Sequence, residues 1–98
     1  MSYRERVNED QRLIILRELS RELDYRLNET ILTAVLESFG HRVSRDMCRT
    51  QLRKLEELGA VQLAQAGSVF VATLTRAGLD HVESRSVIEG VLRPSPEV

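Results

Sequence analysis

Cysteine, aromatic side chains and long apolar runs are all scarce in this 98-residue chain. A single cysteine, Cys48, excludes an internal disulfide, and a chain without such staples suits a reducing compartment. Tryptophan is absent and Phe and Tyr number two each, so the core must be built mostly from Leu, Ile and Val. No apolar stretch approaches the ~20 residues needed to cross a bilayer. The opening "MSYRERVNEDQR" lacks the apolar centre of a signal peptide. The expectation is a cytoplasmic protein with no membrane partner. What is present, 42% hydrophobic and 30% charged residues over this length, fits one ordinary globular domain.

Positive charge is also scarce, except in one place. The total is −1, yet "HRVSRDMCRTQLRK" holds Arg42, Arg45, Arg49, Arg53 and Lys54 against the single acid Asp46. Between Ala60 and Leu74 there is no Lys or Arg at all. Net charge therefore argues for no partner, and only its distribution is informative.

Along the chain, "NEDQRLIILRELSREL" reads as a helix capped by Asn8, with Gln11 completing a capping box. Its apolar positions are Leu13, Ile14 or Ile15, Leu16, Leu19 and Leu23. This stripe is wider than one core contact needs, and Leu13, Ile14 and Ile15 form a candidate seam between two copies. "DYRL" is a short extended link, at most a fragment of strand. Asn28 caps a second helix, which places Glu29 in its first turn, Ile31, Leu32, Val35, Leu36 and Phe39 on one face, and Gly40 at its end. Ser44 caps a third helix that closes at Gly59. Its inward face is Cys48, Leu52, Leu55 and Leu58, so Arg45, Arg49 and Arg53 stack along a neighbouring outward stripe. After Gly59 the period changes. "AVQLAQ" alternates, Ala66 and Gly67 suggest a tight turn, and "SVFVATL" has the β-branched and aromatic content of a strand. Thr75 caps a short fourth helix despite Gly78. Beyond Ser86 the pattern fades, and Pro94 to Val98 reads as a mobile tail.

Reactive chemistry is not expected. Asp80, His81 and Ser84 lie close together on one short helix and read as a solvated polar face, not a triad. Phosphate-cradling glycine patterns are absent. A metal site needs several converging ligands, and Cys48 is alone and faces the core. Neither an enzyme nor a metal, cofactor or small-molecule ligand is predicted.

The order helix, link, helix, tight turn, helix, hairpin, short helix places cations on the second of two closely joined helices. In "SRDMCRTQLRKLEELGAVQLAQAGSVFVATLTRAGLD" the chain resembles the winged helix-turn-helix superfamily. "LRKLEELGAV" is similar to the passage from recognition helix to wing, and "ATLTRAGLD" to the exit from the wing. More narrowly, "GHRVSRD", "LTRAGLD" and "RPSP" resemble a family of small ArsR-like proteins of Mu-like phages and prophages, over nearly the full length.

That resemblance implies a mainly α fold with a small β-hairpin: a three-helix core, a two-stranded wing and a short C-terminal helix. The domain would span 1–85, with 86–98 a C-terminal extension and flexible tail. It also implies a homodimeric, DNA-binding transcriptional regulator in a bacterial host cell, reading double-stranded DNA with helix 44–58. The contacts would come from Arg42, Ser44, Arg45, Arg49, Thr50, Arg53 and Lys54, with Gln65, Gly67 and Ser68 at the wing tip. Arg45 and Arg49 are the candidates for base edges, helped by Thr50 and Gln51, while the other cations would meet phosphates. The acidic total and the uncharged wing suit the alternative, a non-enzymatic protein-interaction module in phage assembly or DNA packaging.

Overall fold

The structure, a computed structural model, describes residues 2–95. Its first helix, α1 (Tyr3–Ser20), begins well before Asn8. Ser2 Oγ accepts the N–H of Glu5 at 3.1 Å and the Glu5 carboxylate accepts the N–H of Ser2 at 2.9 Å, a reciprocal capping box. Asn8 and Gln11 copy that pattern in sequence, but both lie inside the helix and spend their side chains on tertiary bonds. Leu13, Ile15, Leu16 and Leu19 are buried. Leu23, expected to continue the apolar face, lies past the helix end and is fully exposed.

The link 21–25 leads into β1 (Arg26–Asn28), which pairs antiparallel with β3 (Val69–Leu74), Leu27 opposite Ala72. β3 also pairs with β2 (Val61–Ala66), so the sheet has three strands in the order β1-β3-β2 instead of the expected two. The third strand stabilises a hairpin that would be marginal alone. The turn falls on Gly67 and Ser68, since Ala66 pairs with Val69; this is one residue later than expected.

α2 (Glu29–Ser38) is capped by Asn28, whose Oδ1 accepts the N–H of Ile31 at 2.9 Å. α3 (Arg45–Glu57) is capped by Ser44, whose Oγ accepts the N–H of Met47 at 3.1 Å. Both end in the same way. Gly40 and Gly59 take φ of +91° and +83°, and the following N–H groups of His41 and Ala60 each reach back 2.9 Å to Leu36 and Leu55 carbonyls. Of the five apolar residues predicted to share one face of α2, Leu32 and Leu36 are fully buried, whereas Ile31 and Phe39 are exposed. An arc that wide exceeds what one layer of neighbours covers. On α3, Cys48, Leu52 and Leu55 are fully buried, as their spacing predicts.

α4 (Arg76–Val82) is capped by Thr75, whose Oγ1 accepts the N–H of Gly78 and donates to the Gly59 carbonyl at 2.7 Å. Gly78 is required by packing: a methyl there would overlap the Ala60 carbonyl oxygen and fall 2.7 Å from Leu74 Cδ1. His81, expected on a solvated face, is fully buried. Its Nε2 bonds the Leu92 carbonyl at 2.9 Å and its Nδ1 accepts the Ile88 N–H at 3.0 Å, which assigns the Nε2–H tautomer. The stretch after Arg85 is thus no loose extension. Val91 is buried, Leu92 N–H bonds the Glu9 carbonyl, and Arg12 Nη1 donates to the Gly90 carbonyl at 2.7 Å. Packing continues to Leu92, past the expected boundary at 85. Of the expected tail, Pro94 and Ser95 carry no regular structure and 96–98 lie outside the described residues.

Candidate nucleic-acid interface

The outward side of α3 carries cations because its inward side is filled. Cys48, Leu52 and Leu55 bind it to the core, and Gln51, between them, is 3% exposed. Gln51 is not available to a partner. Its amide donates to Asn8 Oδ1 at 3.1 Å and Gln11 Oε1 at 3.0 Å, and its Oε1 accepts from Arg12 Nε at 2.8 Å. This fully satisfied polar network pins α3 against α1. Gln11 extends it to His41, 3.4 Å away, which in turn meets Asp10 at 2.7 Å. The tight turn between α2 and α3 is held through the same residues.

Arg45 and Arg49 do not stand free. Both converge on Glu29, the first residue of α2, whose side chain is fully buried. Arg45 Nε donates to Glu29 Oε2 at 3.1 Å. Arg49 Nε lies 3.3 Å from Oε1 as an ion pair, without the alignment of a hydrogen bond. Oε1 accepts a short hydrogen bond from the backbone N–H of Phe70 on β3. Burial alone would raise the Glu29 carboxyl's pKa. The Phe70 N–H, the Arg45 hydrogen bond and the two positive charges outweigh it and hold the group below the usual carboxylate range. One buried acid therefore ties α2, α3 and β3 together. Phe70 adds a second bond to the hairpin: the guanidinium carbons of Arg49 and Arg53 lie 4.4 and 5.2 Å from its ring centroid.

Exposure separates the stripe into two kinds of cation. The Arg49 side chain is 23% exposed and Arg45 50%, so Arg49 is largely a packing element while Arg45 reaches solvent. Arg42 and Arg53 are exposed. Lys54 Nζ pairs with Glu57 at 3.2 Å on the surface. Thr50 is exposed but its hydroxyl donates to the Asp46 carbonyl, and the Ser44 hydroxyl is engaged as the cap. Glu56 turns to β2 and accepts the Leu63 N–H at 3.0 Å, covering part of an otherwise open strand edge. Gln65, Gly67 and Ser68 are exposed at the hairpin end.

The proposed seam on α1 is closed within the single chain. Leu13, Ile14 and Ile15 are 3%, 8% and 0% exposed, so they cannot join two copies. Their apolar width serves a helix packed against α2, α3, α4 and β3 at once. Among the described residues, no three His, Cys, Asp or Glu side chains gather as a metal would need. No helix among them is long and apolar enough to cross a membrane.

No family model and no solved structure matches the chain. Known sequences do. The protein named "Uncharacterized protein gp26" of Escherichia phage Mu is 41% identical over 90 residues, which is 92% of this chain and 93% of the relative. The chain belongs to the gp26 family of phage Mu. A Haemophilus influenzae protein named "Uncharacterized protein" is 39% identical over 99 residues, covering 99% of this chain and 95% of that one. Both matches cover nearly all of this chain and of each relative.

The residue missing from the sequence-based site is Glu29. Its place in the first turn of α2 was legible as a favourable dipole contact. Nothing in a one-dimensional pattern links it to Arg45, Arg49 and Phe70, which lie 16 to 41 positions away.

Proposed function

We propose that this gp26-family chain is a winged-helix DNA-binding protein of phages and prophages, a transcriptional regulator in the bacterial host cytoplasm that docks α3 on duplex DNA as a homodimer. The observation that carries this reading is the outer surface of α3. There Arg45, Arg53 and Lys54 reach solvent, Arg42 is exposed in the short turn just before, and a hairpin follows directly. The similarity to phage Mu gp26 supports the phage association. Phosphate contacts supply affinity that is independent of sequence, and about four of them predict a steep salt dependence. Raising salt from about 50 to 200 mM would weaken binding roughly 100-fold per copy. Two copies double the contacts, which is the reason to expect a dimer.

The test is fluorescence anisotropy of a random duplex across a salt series, with light scattering of the same sample for mass. No binding to duplex at the lowest salt rejects the reading.

A second reading has its own observation. Ile31 on α2 and Phe39 at its C-terminal cap stand 47% and 56% exposed, and the hairpin end carries no charge, as suits a protein-interaction module in assembly or packaging. Under that reading the paired Ile31→Ser and Phe39→Ser changes abolish partner capture, while Arg53→Ala leaves it intact.

A further inference from the structure

Resting on the DNA reading, we infer that Arg45 reads a guanine and that Glu29 is the positioning residue that aims it. Glu29 occupies the Nε of Arg45 at 3.1 Å, and the Nη groups of Arg45 make no hydrogen bond among the described residues. The end of the guanidinium fork is therefore left for a partner. Two parallel N–H donors on a rigid plane match the O6 and N7 acceptors that guanine shows in the major groove. A free arginine would spend side-chain entropy to adopt that geometry. Here the cost is met in folding, because Glu29 is itself immobile. It is fully buried and fixed by the Phe70 N–H.

Arg45 also opens α3, next to the capping Ser44, and recognition helices present their N-terminal residues to base edges. Arg49 has a different part. With its Nε buried beside Glu29 and its plane over Phe70, it braces the acid and the hairpin and does not reach a base. The same hub lowers the net charge of the face by one, so affinity for arbitrary duplex is lower than the cation count suggests, while geometry is better defined.

The experiment selects bound sequences from a randomised duplex pool with the wild-type chain. It then compares the winning duplex with a copy carrying 7-deazaguanine, which lacks the N7 acceptor, and with a random duplex. Wild type is expected to prefer the selected duplex about tenfold or more over the deaza copy. Arg45→Lys keeps the charge and loses the fork, so it should lose that preference and bind the selected duplex no better than the deaza copy. Glu29→Gln should lose the preference as well, yet bind random duplex with a salt slope steeper by about one, since an arginine that Glu29 held is released to meet a phosphate. A merely structural role for Glu29 would weaken both duplexes alike. Retention of the guanine preference in Arg45→Lys overturns the inference while leaving DNA binding intact, and this variant decides the matter even where Glu29→Gln fails to fold. A wild-type chain that enriches no sequence but binds duplex also overturns it. A chain that binds no duplex at all removes the underlying reading.

Discussion

Gly78→Ala gives the sharpest check on the packing. Gly78 is the third residue of α4, and Ala is the better helix former by roughly 0.8–1 kcal/mol in a helix interior. Propensity alone predicts a more stable protein. The structure predicts the reverse. An added Cβ would overlap the Ala60 carbonyl oxygen and stand 2.7 Å from Leu74 Cδ1. The leucine can turn aside, but the carbonyl cannot, because it is backbone, fully buried, and accepts the Thr75 N–H at 3.1 Å. Relief requires α4 to move off the junction between α3 and β2, breaking that bond or opening a gap. Overpacking of this kind costs about 1–3 kcal/mol, and backbone as the obstacle places it at the upper end. Less the propensity gain, the net loss is about 1–2 kcal/mol, a fall in Tm of roughly 5–15 °C for a domain of this size. Thermal unfolding followed by circular dichroism, with urea unfolding as a second measure, decides it. A Tm equal to or above wild type would refute the close approach of α4 to Ala60.

Other expectations follow from the buried polar groups. Because the Glu29 carboxyl titrates below its ordinary value of about 4.3, folded protein binds fewer protons than unfolded protein in the acid range. Its contribution is present above that value and lost as pH falls through the folded one. Urea unfolding between about pH 3 and 7 should therefore show a shallower acid decline in Glu29→Gln than in wild type. Gln51→Ala strips partners from Arg12, Asn8 and Gln11 and should cost about 1–3 kcal/mol, while duplex binding per folded molecule stays unchanged. A drop in binding at full folding would mean that Gln51 faces the partner after all. Truncation after Arg85 removes the partners of both His81 nitrogens and buried Val91, so the shortened chain should unfold well below wild type in urea. Equal midpoints would show that 86–95 is dispensable.

Local chemistry along the chain was enough to place α2, α3, α4 and the hairpin. Asn28, Ser44 and Thr75 cap, Gly40 and Gly59 terminate, and Cys48, Leu52 and Leu55 face inward; each relation lies within a turn or two of its own residue. Errors arose where one local pattern fits two roles. Asn8 and Gln11 read as a cap because short polar side chains serve a helix start and a buried amide network equally well, and only the partner across 40 or more positions, Gln51, decides which. The apolar width of α1 read as a seam between copies for the same reason: periodicity reports that a face is covered, not by whom.

By itself, the order of residues determined which segments coil, where the second and third helices stop, and that positive charge gathers on one helix. The tertiary structure alone decided what that charge is tied to. Arg45, Arg49 and Phe70 meet Glu29 only when α2, α3 and β3 are packed together. Ion pairing and hydrogen bonding act over a few ångströms in space, and sequence distance carries no trace of them.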